Sequence, residues 1–241
     1  MPETLMLLHG FAGTHRTWDL VVPELDPERY NPLIPDLRGH GTRGGVRPVT
    51  FDACVKDVLD EAPHEVVLCG YSFGGRVAQH AALAAPDRVS RLVLISTSGG
   101  LDDPEQRAAR RAEDEALAEE IEDLSGDVFA DRWQSQPVFA GTPPEAAEVW
   151  RKDLLRNDPR GLAEALRGLG TGVMKPTWDR LGELTMPVTV VVGDRDRKFV
   201  ELAERFMAAL PDARLVVVPG AGHGLPREAP VELAAAIQGD A

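Results

Sequence analysis

The apolar run Val66-Val67-Leu68-Cys69 meets Gly70-Tyr71-Ser72-Phe73-Gly74 and continues through Gly75-Arg76 into Val77-Ala78-Gln79-His80-Ala81-Ala82, a good helix former. An extended run that becomes helical within one residue must turn sharply at Ser72. Glycines two before and two after remove the side chains that would collide in so tight a turn. The segment therefore predicts a strand, a strained serine and a helix in direct succession. Such a turn holds the serine hydroxyl out at the carboxyl edge of a sheet, where the next backbone N–H and the helix N-terminus face any developing negative charge. The five-residue pattern also arises by chance, so its weight comes from the strand and helix that flank it.

The rest of the chain repeats the strand-then-helix rhythm. Short β-rich runs occur at Thr4 to Leu8, Asn31 to Ile34, Glu65 to Cys69, Arg91 to Ser96, Val188 to Val192 and Arg214 to Val218. Helical patterns at Thr50 to Glu61, Gly74 to Ala85, Phe199 to Ala209 and Pro230 to Gln238 separate most of them. Short strands that are apolar almost throughout are buried on both faces, and alternation with helices makes them parallel. The expected fold is α/β, a doubly wound, mostly parallel sheet. From Ser98 to Thr185 the rhythm breaks into helical stretches alone, at Pro104 to Leu124, Ser125 to Trp133, Pro143 to Arg156 and Gly161 to Leu169. This interval reads as a helical cap, residues 98–185, over a core of 1–97 and 186–241. No Gly/Ser- or Pro-rich linker marks either border, which argues against an independent domain.

Composition sets milder bounds. The 241 residues suit one α/β domain with an insertion, and a formal charge of -13 argues against nucleic acid as a partner. An anionic substrate would need a local basic site working against that overall field. The opening Met1-Pro2-Glu3-Thr4-Leu5 lacks the basic leader of a signal peptide, and no apolar stretch reaches membrane-spanning length. Cys54 and Cys69 read as reduced core residues of a cytoplasmic protein.

Serine alone is a weak nucleophile or base, so it needs an imidazole to take its proton and a carboxylate to fix that imidazole's tautomer. After the Val188 strand comes Gly193-Asp194-Arg195-Asp196, and after the Arg214 strand comes Pro219-Gly220-Ala221-Gly222-His223-Gly224. Both groups lie just past a strand end, on the edge that carries Ser72. His223 is the expected base and Asp196 its expected acid, with Asp194, nearer the strand, as a turn former. The first strand ends in Leu8-His9-Gly10-Phe11, so the Phe11 and Phe73 amides are candidates for an oxyanion hole. Their rings read as pocket wall. His9 and His40 read as loop-ordering residues. His15, His64 and His80 show no partners at metal-ligand spacing.

These features resemble the α/β-hydrolase superfamily along nearly the whole chain, except that its usual leading antiparallel hairpin is missing. A narrower likeness rests on Gly70-Tyr71-Ser72-Phe73-Gly74-Gly75-Arg76, Glu105 to Arg110, Phe129 to Phe139, and Asp194 to Phe199. Together these resemble the MenH family, the pyruvate-eliminating synthases of menaquinone biosynthesis. The resemblance implies a triad acting as a base on a cyclohexene polycarboxylate, with basic and aromatic side chains holding its carboxylates. By motif those side chains are Tyr71, Arg76, Arg110, Trp133, Arg156 and Lys198 with Phe199. Arg76, four residues after Ser72, falls one helical turn on and can face the same pocket. Arg110 could equally pair with Asp114 at i,i+4, and Trp133 could equally pack cap onto core. A carboxylesterase with Ser72 as nucleophile is the alternative, and Arg38 in Asp36-Leu37-Arg38-Gly39-His40-Gly41 is a mild point for it. A receptor that keeps the triad without turnover has no positive feature. Neither catalytic reading requires a cofactor.

Overall fold

The structure is a computed structural model, and it describes residues 2–240. In chain order its elements are β1 (Glu3–Leu8), β2 (Tyr30–Leu33), α1 (Phe51–Glu61), β3 (Val66–Tyr71), α2 (Phe73–Ala84) and β4 (Val89–Ile95). Then follow α3 (Pro104–Asp123), α4 (Gly126–Gln134), α5 (Pro144–Leu154) and α6 (Pro159–Leu169). The chain closes with β5 (Val188–Gly193), α7 (Arg197–Ala209), β6 (Ala213–Val218), α8 (Leu225–Glu228) and α9 (Pro230–Gln238). Among the described residues the strands form one sheet in the order β2-β1-β3-β4-β5-β6, and every pairing is parallel.

Alternation along each strand builds a core on both faces. Met6, Leu8, Leu68, Leu92 and Leu94 face one side, packed with Phe73, Val77 and Ala81 of α2 and Phe206 of α7. Leu5, Leu7, Val67, Cys69, Val93 and Ile95 face the other, packed with Trp18 and with Leu233 and Ile237 of α9. Burial on both faces is why the strands read as unbroken apolar runs. Cys54 and Cys69 are buried free thiols, and burial pushes Cys54 up to about 12. No helix among the described residues is long and apolar enough to cross a membrane.

Element ends differ from the sequence expectation where local chemistry outweighs pattern. Thr50 is not the first residue of α1 but its cap, accepting the Ala53 N–H at 3.2 Å. β3 runs on through Gly70 to Tyr71, because the backbone stays extended until the serine itself turns. The helix α8, four residues long and directly after a glycine-rich loop, is too short to leave a periodic trace.

Between β4 and β5 the helices α3 to α6 gather around a third apolar cluster that includes Ile121, Phe129, Trp150, Leu154 and Leu166. Ala12, from the loop after β1, belongs to the same cluster, so the insertion is seated on the carboxyl edge of the sheet. The strand order reverses between β1 and β3, and in open parallel sheets ligands bind in the crevice at such a switch point. The His9–Gly13 loop and Ser72 emerge there together.

One buried carboxylate organises the loop after β2. Asp36 accepts the N–H of His15 at 2.6 Å, the N–H of Thr42 at 2.8 Å and the Thr42 hydroxyl at 2.7 Å. Burial alone would push this carboxyl up, but the bonds from Thr42 and His15 outweigh it and hold it down at about 2. The folded value lies below the unfolded one, so the stabilisation is present above roughly pH 4 and is lost as pH falls through the folded value. Asp36→Asn is expected to cost about 2 kcal/mol at neutral pH. Urea unfolding should show the gap from the unsubstituted protein narrowing as pH is lowered from roughly 4 toward 2.

Candidate active site

Ser72 stands between β3 and α2 with φ +50° and ψ -108°, a backbone conformation costly for a residue with a side chain. A Cβ on Gly70 would lie 2.5 Å from the Gly74 carbonyl oxygen, and one on Gly74 would lie 2.5 Å from that of His9. Only glycine fits at either position. The turn is further held by the Ser72 N–H to the Ile95 carbonyl at 2.8 Å and the Thr97 hydroxyl to the Ser72 carbonyl at 2.7 Å.

The His223 loop, past β6, brings Nε2 to 3.0 Å from Ser72 Oγ, while Nδ1 lies 2.6 Å from Asp196 Oδ2. Asp196 accepts the Nδ1 proton, which leaves Nε2 free to accept the Ser72 hydroxyl proton. Both imidazole and carboxylate are buried, so little water competes for these bonds. The rings of Phe199, Tyr71 and Phe139 enclose the imidazole at centroid distances of 4.5, 5.6 and 5.7 Å. Asp194 is exposed and accepts the Gly220 N–H at 2.9 Å, tying the two loops together away from the imidazole.

Phe73 is the first residue of α2, so its N–H has no acceptor within the helix. Phe11 follows His9-Gly10, and both phenylalanines line the cavity in front of Ser72 with their rings 5.9 Å apart. His9 and His40 are buried behind this wall. His9 Nε2 accepts the Leu37 N–H at 2.9 Å, so Nδ1 carries the proton given to the Gly10 carbonyl at 2.8 Å. Burial pushes the imidazole of His9 down and that of His40 down to about 3, so both stay neutral and order their loops.

The cavity measures about 350 Å³, room for a small-molecule substrate. Tyr71, Arg76, Arg110, Trp133 and Lys198 line it. Arg76 approaches within the elbow helix, its guanidinium 5.0 Å from the Phe73 ring centroid, and its Nη1 is buried without a hydrogen-bond partner among the described residues. Burial, and after it the nearby Arg110, push Arg76 down to about 10. Arg110 Nε also donates to Asp114 Oδ1 at 2.7 Å, so the i,i+4 pair and the cavity position hold at once. Trp133 Nε1 is buried without a partner, and its ring lies 4.8 Å from that of Phe11. Lys198 is exposed at the rim, over Phe199.

Arg156 does not join them. Helix α5 ends at Leu154, with Leu155 as its cap, and the turn that follows points Arg156 outward while Asn157 turns in. Asn157 Nδ2 donates to the carbonyl of Ala12 at 2.8 Å, and its Oδ1 accepts the Gly41 N–H at 3.0 Å. The expectation that Arg156 contacts substrate is corrected on this point: its side chain is exposed and outside the cavity lining.

Two residues with no earlier reading complete the surroundings. Arg227 of α8 is buried in the cavity wall, stacked 5.3 Å over Trp150, and donates to Asp153 Oδ2 at 3.5 Å and Thr17 Oγ1 at 3.3 Å. Asp153 of α5 is buried and accepts the Thr14 N–H at 3.2 Å and the hydroxyls of Thr14 and Thr17. The insertion thus holds the loop that carries Phe11. Asp153 could have been singled out in the sequence as an acid between the apolar helix neighbours Trp150 and Leu154, whereas Arg227 leaves no such signal.

A parallel α/β sheet carrying a serine elbow, with histidine and aspartate on later loops, defines a class. The model of the α/β-hydrolase family matches residues 5–236, and the chain belongs to that family. Within it the chain is similar to a Bacillus subtilis protein provisionally named 2-succinyl-6-hydroxy-2,4-cyclohexadiene-1-carboxylate synthase, 34% identical over 95% of this chain and 86% of that protein. The solved structure of MenH from S. aureus superposes with a TM-score of 0.92 at 30% identity, covering 99% of this chain and 92% of that one. A thermophilic esterase from Thermogutta terrifontis, solved with malate bound, superposes with a TM-score of 0.84 at 29% identity, covering 99% and 89%.

Proposed function

We propose that this protein is a cytoplasmic MenH-type lyase that eliminates pyruvate from a cyclohexene polycarboxylate in menaquinone biosynthesis. One observation carries the reading. In a chain of net charge -13, the cavity in front of Ser72 is lined by Arg76, Arg110, Lys198 and Arg227 and by no carboxylate among the described residues. Arg110 and Arg227 are held from behind by Asp114 and Asp153, whereas Arg76 has a buried Nη1 without a partner among the described residues, a cost that an anionic ligand relieves. Guanidinium groups bind carboxylates in a planar, two-pronged geometry, which suits Arg76 and Arg110 to that ligand. The likeness to MenH over nearly the whole chain agrees with this chemistry.

In the proposed reaction Ser72 Oγ gives its proton to His223 Nε2 as it takes one from a substrate carbon. The electron pair of that C–H bond forms a ring double bond as the C–O bond to the departing group breaks. That group leaves with the C–O pair as the enolate of pyruvate and takes its proton from the His223 imidazolium. Asp196 steadies the imidazolium that results. The Phe11 and Phe73 amides face the oxyanion that develops on the substrate. Tyr71, Trp133 and Lys198 complete the walls around it.

The second reading, ester hydrolysis with Ser72 attacking a carbonyl, is favoured by the likeness to the Thermogutta terrifontis esterase. The two part on one pair of assays with the purified protein. Pyruvate release from the menaquinone precursor is expected to exceed turnover of short nitrophenyl esters by about 10³-fold or more in kcat/KM, an advantage of the order that two buried carboxylate contacts supply. Fast ester cleavage without pyruvate would sink the lyase reading.

A further inference from the structure

The reaction as written makes no use of Glu228, a carboxylate only 3% exposed, five residues after His223. Its Oε2 accepts the Gly222 N–H at 2.7 Å and its Oε1 accepts the Gly224 N–H at 3.2 Å, so the backbone is held on both sides of the imidazole. Two further donors converge on it. Arg195, the neighbour of Asp196, brings Nη2 to 3.2 Å from Oε2, and the hydroxyl of Thr142, between α4 and α5, lies 3.3 Å from Oε1. The fit is close enough to dictate the neighbouring residues. A Cβ on Gly224 would come within 2.7 Å of Oε1, and one on Gly222 within 3.2 Å of Oε2. The glycines around His223 therefore leave the space that this carboxylate fills.

We propose that Glu228 is a positioning residue that fixes the His223 loop so that Nε2 stays within reach of Ser72 Oγ, and that it ties this alignment to the insertion through Thr142. Three N–H donors, from Gly222, Gly224 and Arg195, point at its two oxygens, and the Thr142 hydroxyl, shared with the Phe139 carbonyl at 2.9 Å, stands beside Oε1. A carboxylate can accept from all of them. An amide cannot, because in either orientation its NH₂ would face a backbone N–H, that of Gly222 or that of Gly224. A displacement of the base by about 1 Å is enough to cost on the order of 100-fold in rate. The proposal rests on reading Ser72, His223 and Asp196 as the reacting unit, and it does not depend on which substrate the cavity takes.

A fluorophosphonate probe tests it without the natural substrate. Ser72 Oγ forms a bond to phosphorus, the P–F bond breaks, fluoride leaves, and the hydroxyl proton passes to His223 Nε2; intact-mass spectrometry follows the adduct. Glu228→Gln is expected to slow labelling of folded protein by about 100-fold, with circular dichroism unchanged. A merely structural Glu228 would lower the melting temperature and leave the labelling rate of the folded protein within about twofold, and that result overturns the proposal. If Glu228→Gln does not fold, Glu228→Asp carries the test: it keeps the charge but draws it back one methylene, and labelling should slow at least about fivefold. A rate equal to that of the unsubstituted protein counts against the idea. Failure of the unsubstituted protein to label would instead remove the triad reading, and this proposal with it.

Discussion

Ser72→Ala is expected to lower kcat for pyruvate release by about 10³- to 10⁴-fold, the range that a positioned proton-transfer group contributes. The hydroxyl sits 3.0 Å from the imidazole that would accept its proton, and the imidazole in turn is fixed by Asp196 at 2.6 Å. Removing Oγ leaves the cavity, its cationic lining and the backbone amides in place, so KM should change by less than about threefold. A companion substitution separates chemistry from architecture. Ser72 holds φ at +50°, a strain that glycine does not feel, so Ser72→Gly should be equally inactive yet more stable by about 1 kcal/mol. Urea unfolding of the two variants measures the difference. Pyruvate release retained by either folded variant would overturn the assignment of Ser72.

Arg76→Ala is expected to lower kcat/KM for the polycarboxylate by about 100- to 1000-fold, since a guanidinium paired with a carboxylate away from water is worth some 3 to 4 kcal/mol. Turnover of a neutral nitrophenyl ester should change by less than about threefold, because no carboxylate is then bound. The contrast follows from what surrounds Arg76. Its Nη1 is buried without a partner among the described residues, and burial and Arg110 together hold its pKa down to about 10. A ligand carboxylate between Arg76 and Arg110 relieves both. Arg76→Lys keeps the charge but not the two-pronged geometry, and should recover only part of the loss. Equal losses on both substrates would make Arg76 a structural residue. Protein stability separates the cases further: removing an uncompensated buried cation should leave the ligand-free protein as stable or more so.

The strands and the elbow were legible because their causes are local. Leu5, Leu7 and Met6, Leu8 declare two buried faces within one short run, and Gly70 and Gly74 declare the turn that Ser72 must make. His223 and Asp196 were legible for a related reason, since in a parallel sheet all strand ends of one kind lie along one edge. Arg156 was assigned by motif alone, and a motif does not say which way the turn after α5 points a side chain. There Asn157, reaching for Ala12 and Gly41, decided which side faces inward. Glu228 and Arg227 escaped notice on a helix of one turn, where no periodicity can form.

The sequence by itself determined the class of fold, the strained serine and the sheet edge to which the imidazole and carboxylate come, since each follows from contacts within a few residues or from strand direction. Only the tertiary structure decided which charges share one cavity. Arg76 stands on α2, Arg110 on α3, Lys198 on α7 and Arg227 on α8, and no spacing in the chain links these four. Arg76, Lys198 and Arg227 come from core helices at the carboxyl edge of the sheet, and Arg110 joins them because the insertion packs onto the loop after β1 through Asp153 and the cluster around Ala12, a long-range property of the folded chain.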